Sequence, residues 1–166
     1  MSFGQSFQIT PVQMLRAVAA IVNGGKLVTP HFGLYTSSSD GSVVNEFAYS
    51  TEEEAISSQT SEMMKQILEG VVSEGGGTKA YIEGYSIGGK TATSQKLPRG
   101  SGKYISSFIG FAPADNPQVI AMCLIDEPTG VYYGGTIAAP VVKTLYENIL
   151  PYIGIERSVQ LEKNDD

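Results

Sequence analysis

A chain of 166 residues, 42% hydrophobic and 17% charged, has the apolar material to fill one domain core of ordinary size or most of one. Its 11 basic residues are outnumbered by 17 acidic ones, giving a net charge of −6, so the basic stripe that neutralises phosphates is missing and nucleic acid is excluded as a partner. Apolar runs such as residues 119–125 fall far short of the roughly 20 residues that cross a bilayer, and the first residues lack the basic-then-apolar pattern of a signal segment, so a soluble segment is expected.

In chain order, the first element is a helix opening at Thr10, a capping hydroxyl, with Pro11 at the first helical position and Gln13 as the capping-box partner. Leu15, Val18, Ala19 and Val22 repeat at helical spacing until Asn23-Gly24-Gly25 ends the run. Residues 27–49 mix Ser, Gly and short apolar runs and predict a surface excursion of two weak strands about a turn at residues 37–41. Residues 52–54, three glutamates after Thr51, predict a short capped turn or simply a solvated face. A second helix is predicted by Met63, Met64, Ile67, Leu68, Val71 and Val72, a wide apolar stripe that stops at Gly75-Gly76-Gly77.

Beyond the glycines, residues 86–94, 104–111 and 119–125 are rich in β-branched and aromatic side chains and predict three strands, antiparallel because their connections are short. The near-continuous apolar run at residues 119–125 predicts that the third strand is the central one. A last helix, residues 138–150, opens near Pro140, presents Val141, Val142, Leu145 and Ile149, and stops at Pro151. The tail at residues 156–166 is polar and aperiodic, as expected of a frayed end or a cut linker. Cys123, the single cysteine, reads as a small buried hydrophobe, and with one histidine, His31, the usual zinc ligand sets cannot be assembled, so neither metal nor cofactor is expected.

Two strings invite a nucleotide reading: Gly84 to Thr91 fits the pattern of a phosphate loop, and Asp126 follows an apolar strand as a magnesium-holding acid would. A phosphate loop requires a helix beginning at its Lys-Thr, where backbone N–H groups and the helix dipole meet the phosphates. Thr91, Thr93 and Ser94 are poor helix formers and Pro98 with Gly100 breaks the segment, so that context fails. If residues 89–95 form a strand instead, Thr91 and Thr93 point to one side and Lys90, Ala92 and Ser94 to the other. An edge strand bearing an ammonium group and two hydroxyls suits an extended peptide that ends in a carboxylate.

Here the chain resembles the class B penicillin-binding transpeptidases, whose third signature is a Lys-Thr-Gly strand. The likeness extends in order through Ser2-Phe3-Gly4-Gln5, Ile9-Thr10-Pro11 with Gln13, Asn23-Gly24-Gly25, Gly88-Gly89-Lys90-Thr91, Ser107 to Pro113, Asp126-Glu127-Pro128 and Gly134-Gly135 with Ala138-Ala139-Pro140, covering about residues 2–155. The pattern around Lys90 to Ser94 looks most like sporulation and cell-division types. The resemblance implies an α/β (α+β) class, a partial penicillin-binding transpeptidase (β-lactamase-like) fold with three antiparallel strands flanked by helices. Residues 1–155 would be the C-terminal portion of the domain and residues 156–166 a tail. It implies further that Lys90 and Thr91 contact substrate, that Thr93 engages the substrate carboxylate, and that the Thr93 N–H forms part of an oxyanion hole. Ala92 stands where the family usually has glycine, a change that can narrow the strand's approach to a neighbouring backbone or alter β-lactam affinity.

No lysine follows a serine by three residues and no asparagine follows one by two, so the family's Ser-x-x-Lys nucleophile and Ser-x-Asn motifs are missing; in the family both lie upstream of residue 2. Ser39-Asp40-Gly41 nearly matches the second motif but sits on the wrong side of Ser2-Phe3-Gly4-Gln5 and reads as a turn. The resemblance implies a parent that crosslinks peptidoglycan stem peptides outside the membrane, is membrane-anchored and binds β-lactams, while this chain alone is catalytically incomplete. A noncatalytic peptide-binding module and the nucleotide hydrolase are the competing readings. Strands from the missing half would complete the sheet beside the third strand, leaving an apolar edge expected to self-associate. Tyr104, Tyr132 and Tyr133 are expected to pack on the sheet, and His31 to be a surface loop residue that nothing nearby orients.

Overall fold

A computed structural model describes residues 8–50 and 54–158, which divide into two compact units, Ile9–Glu62 and a second that runs from Met63 onward. In the first unit, helix α1 (Pro11–Val22) begins with the predicted capping box. The Thr10 hydroxyl accepts from the Gln13 N–H (3.2 Å), and the Gln13 side-chain oxygen accepts from the Thr10 N–H (3.0 Å). The helix ends where Gly24 and Gly25 take φ values of 86° and 96°, and a side chain at Gly25 would also run into the Ile56 carbonyl. Buried Ser61 ties the first turn of helix α2 (Ser58–Ser73) to this end, donating to the Ile21 carbonyl (2.7 Å) and accepting from the Gly24 N–H (3.0 Å).

The two weak strands are β1 (Tyr35–Ser37) and β2 (Val43–Glu46), an antiparallel pair exposed along its length. Asp40 closes their turn: it accepts from the Ser38 hydroxyl and from the Ser42 N–H (2.9 Å) and hydroxyl (2.7 Å), which hold its carboxyl far below the usual range. Ser39-Asp40-Gly41 is therefore turn chemistry. Of the turn expected at residues 52–54, residues 52 and 53 lie outside the described residues, and Glu54 forms an antiparallel bridge with Lys26.

In the second unit the stripe of α2 is narrower than predicted. Met63 and Ile67 are 53% and 60% exposed, whereas Lys65 and Val72 are buried. Lys65 takes a core-side place because its aliphatic stem is apolar and its ammonium donates to the Asp115 carbonyl (2.7 Å). The helix closes through the Gly77 N–H, which donates to the Val71 carbonyl (2.9 Å), and a single 3₁₀ turn, Thr78–Ala80, follows.

Strands β3 (Gly88–Gln95), β4 (Tyr104–Ala112) and β5 (Val119–Asp126) form an antiparallel sheet in that spatial order, with Thr93 opposite Ser106 and Ser107 opposite Leu124. The central strand is thus β4, correcting the expectation for residues 119–125. Its burial is hidden in the sequence because Ser106 and Gly110, both buried, interrupt the apolar run, while β5 lies at the border with Leu124 44% exposed.

Helix α3 (Gly134–Ile137) is one turn long and leads directly into α4 (Ala139–Tyr152), which continues one residue past Pro151. The buried stripe of α4 is Val142, Tyr146 and Leu150, whereas the predicted Val141 and Leu145 are 50% and 42% exposed. The stripe turns on Tyr146, whose hydroxyl donates to the Gly110 carbonyl (2.5 Å) and accepts from the Ala121 N–H (3.0 Å), so a polar tip sits satisfied between β4 and β5. These residues join Phe108, Ala112, Ile87 and Val72 in one core, against which Cys123 packs only partly buried, correcting the expectation that it is buried. The start of the tail is held: the Ser158 N–H donates to the Gly84 carbonyl (2.8 Å) and the Arg157 guanidinium lies 5.5 Å from the Tyr85 ring centre. Residues 159–166 lie outside the described residues.

Candidate functional site

The site begins with two glycines. At Gly89 a side chain would meet the Phe108 ring at 2.5 Å and the Ile109 carbonyl at 2.7 Å, and at Gly88 it would overlap the Phe111 ring, so the start of β3 is covered by an aromatic ring of β4 on each face of the sheet. This packing explains the glycines that imitate a phosphate loop. Residues 90–95 continue as strand, no helix starts at Lys90, and the nucleotide reading fails on its required geometry. Asp126 likewise serves as an ion-pair partner of Lys96 (2.9 Å).

One cleft, about 310 Å³ in volume, opens along β3. Thr91, Ala92 and Thr93 line one wall, Tyr133, Gly134, Gly135 and Thr136 the opposite one, and Gly76, Thr78 and Lys79 complete it. The walls are coupled, because the Gly134 N–H donates to the Thr93 hydroxyl oxygen (3.1 Å), leaving that hydroxyl's own proton available to a ligand. Gly134 is buried and has no room for a side chain against the Ala92 and Ser107 carbonyls; at Gly135 a side chain would come within 2.5 Å of the Gly76 carbonyl and 3.2 Å of Thr91 Cγ2. The loop before α3 is anchored by buried Ser106, whose hydroxyl donates to the Tyr132 carbonyl.

The predicted site residues separate. Thr91 and Thr93 line the cleft, with Ala92 between them; Lys90 is exposed, is not part of the lining, and folds its ammonium onto the Thr91 carbonyl (2.8 Å). Tyr104 and Tyr132 stack with ring centres 4.1 Å apart, as packing aromatics do, but Tyr133 is 58% exposed and belongs to the cleft wall, correcting the expectation for that residue. A hydrogen bond with the Tyr132 phenol beside it pushes the Tyr133 pKa up, so the phenol ionises less readily than an ordinary tyrosine. His31 is exposed yet oriented, stacked on Tyr49 (3.6 Å) with Nδ1 2.7 Å from the Thr29 carbonyl, so the expectation that nothing orients it is also corrected. Thr78, Lys79 and Thr136 escaped sequence reading because each lies in a short turn whose partner segment is distant in the chain. The signal for the opposite wall was Gly134-Gly135, a pair that close backbone approach demands.

Beyond the cleft, Lys96 and Lys103 both reach Glu127 (2.7 and 2.9 Å), and these contacts, Lys96 first, pull the Glu127 carboxyl down to about 2. Glu127 holds a left-handed φ of 50°, tied by its N–H to the Tyr104 carbonyl (2.9 Å). Among the described residues the cleft lining has hydroxyls and one ammonium but no carboxylate and no nucleophile paired with a base, an arrangement fitted to grip an anionic, extended ligand.

Residues 1–147 match the family described as penicillin binding protein transpeptidase domain. The chain is 40% identical over 168 residues to stage V sporulation protein D of Bacillus subtilis, covering 98% of this chain and 26% of that protein. It is 34% identical over 160 residues to the probable peptidoglycan D,D-transpeptidase PenA of Neisseria flavescens, covering 93% and 37%. Among solved structures, penicillin binding protein 3 of Mycobacterium tuberculosis complexed with ampicillin superimposes with a TM-score of 0.81 at 28% identity, over 96% of this chain and 38% of that one. The chain therefore spans about a quarter to two-fifths of the length of these relatives. Strand β3 in place of a phosphate loop, a cleft walled by its threonines, and the sequence match across residues 1–147 lead to one assignment: this chain belongs to the penicillin binding protein transpeptidase domain family.

Proposed function

We propose that this chain forms the substrate-gripping part of a peptidoglycan D,D-transpeptidase, holding the terminal carboxylate end of a stem peptide along β3. The observation that carries the reading is the cleft between Thr91–Thr93 and Gly134–Gly135, where hydroxyls and positive charge meet an open sheet edge. In this reading Thr91 and Thr93 contact the peptide, the Thr93 N–H supplies half of an oxyanion hole, and Lys90 stands at the exposed border, where a half-domain bearing Ser-x-x-Lys would meet it. Residues 1–155 serve as the C-terminal portion of the domain. The parent is membrane-anchored with this part outside the membrane, and it acts in sporulation or division. Among the described residues no helix is long and apolar enough to cross a membrane. A fluorescent penicillin tests the reading: the chain joined to an upstream half carrying Ser-x-x-Lys becomes covalently labelled and the chain alone does not. Absence of labelling in the folded joined protein refutes the proposal.

The same reading assigns a partner strand to the border of β5, where Leu124 is exposed. Without that partner, the border favours pairing between copies of the chain. Analytical ultracentrifugation is expected to show concentration-dependent dimers, and a monomer at millimolar concentration overturns the expectation.

A further inference from the structure

Three facts single out Lys79 within the cleft. Among the described residues it is the one charged residue of the lining, where the sequence had pointed to Lys90, and its side chain makes neither a hydrogen bond nor an ion pair with any of them. It also sits on a base that cannot drift: its single 3₁₀ turn, Thr78–Ala80, is flanked by buried Gly77 and ends on fully buried Ala80. The Ala80 N–H donates to the Gly77 carbonyl (2.8 Å) and the Tyr81 N–H to the Thr78 carbonyl (3.1 Å), so the backbone beneath the lysine is bonded on both sides. Most exposed lysines are merely solvated. This one carries a flexible cation on a hydrogen-bonded turn and shares the cleft lining with Thr91 and Thr93, a lining that among the described residues holds no acid to neutralise it.

We infer that Lys79 is a specificity-determining residue that selects ligands by a carboxylate, pairing with the terminal acid of a peptide laid along Thr91–Thr93. The ammonium supplies charge while the threonine hydroxyls supply direction: Thr93 already accepts from the Gly134 N–H and so turns its own proton outward as a donor. A peptide whose terminal acid is replaced by an amide keeps its backbone contacts but brings no charge to Lys79, so discrimination between acid and amide is the signature. This inference rests on the peptide-binding reading above.

The experiment is an NMR titration of the isotopically labelled 166-residue chain with diacetyl-L-lysyl-D-alanyl-D-alanine and with its C-terminal amide, repeated on Lys79→Gln and Lys79→Arg. The acid is expected to shift the amide signals of Thr91, Thr93 and Gly134 and the amide to bind about tenfold more weakly, the scale of one charge-assisted hydrogen bond. Lys79→Gln should bind both peptides at the weaker level, and Lys79→Arg should retain the preference for the acid. If Lys79→Gln, with an otherwise unchanged spectrum, binds the acid as tightly as the native chain, or if the native chain does not distinguish the two peptides, the inference is overturned while peptide binding stands. If neither peptide moves the cleft signals, the peptide-binding reading falls and this inference with it.

Discussion

Tyr146 places a hydroxyl between the central and border strands, where it serves two backbone groups at once, and burial pushes its ionisation well above the ordinary tyrosine value. Removing that oxygen leaves the Ala121 N–H and the Gly110 carbonyl without this partner inside the core. Tyr146→Phe is expected to destabilise the fold by about 1–3 kcal/mol, read as a lower urea midpoint at unchanged slope. Gly134 is constrained from the other side, with carbonyls of Ala92 and Ser107 against the place of a side chain. Gly134→Ala should displace α3 and cost roughly 1–3 kcal/mol, and it should weaken peptide binding as the Gly134 N–H leaves Thr93; calorimetry and the titration above measure the two effects. Neither role was legible beforehand. A tyrosine in an amphipathic helix does not announce that its tip will bridge two strands, and the sequence singled out Lys90 and passed over Lys79 because only the chain's long-range contacts bring residues 78–79 to the cleft lining.

Elements were more readable than residues because their signals are local. Thr10, Pro11 and Gln13 state a helix start within four residues, and the structure carries each bond they imply. Thr10→Ala is expected to cost about 1 kcal/mol, with amide exchange accelerated first in the opening turn of α1. The three long strands and the capped helices followed from period and punctuation in the same way. Sheet order did not, since it depends on which strand the packing covers: Ser106 and Gly110 make the buried middle strand look mixed, while the uniformly apolar β5 lies at the border. The width of a helix's apolar stripe misled for a related reason. A buried lysine in α2 and a buried tyrosine in α4 displaced aliphatic residues to the surface, and side-chain type alone does not record such exchanges.

At the scale of the molecule, acid should act through the charge cluster at the end of the sheet. The Glu127 carboxyl titrates at about 2 in the folded protein against an ordinary value of 4.5, so the folded state binds its proton less readily than the unfolded one. Its stabilising contribution is therefore complete above the ordinary value and is lost as pH falls from about 4.5 toward 2. Melting temperature should decline over that interval, and Glu127→Gln should flatten the decline; an unchanged pH profile in the variant would show that the pairs with Lys96 and Lys103 contribute nothing. The clasping of β3 between the ring of Phe108 on one face and that of Phe111 on the other has a further consequence for how such a cleft can evolve. With a ring pressed against each face of its glycines, this jaw cannot be tilted to either side to tune the aperture, so changes in ligand girth have to be accommodated by the other jaw at residues 133–136.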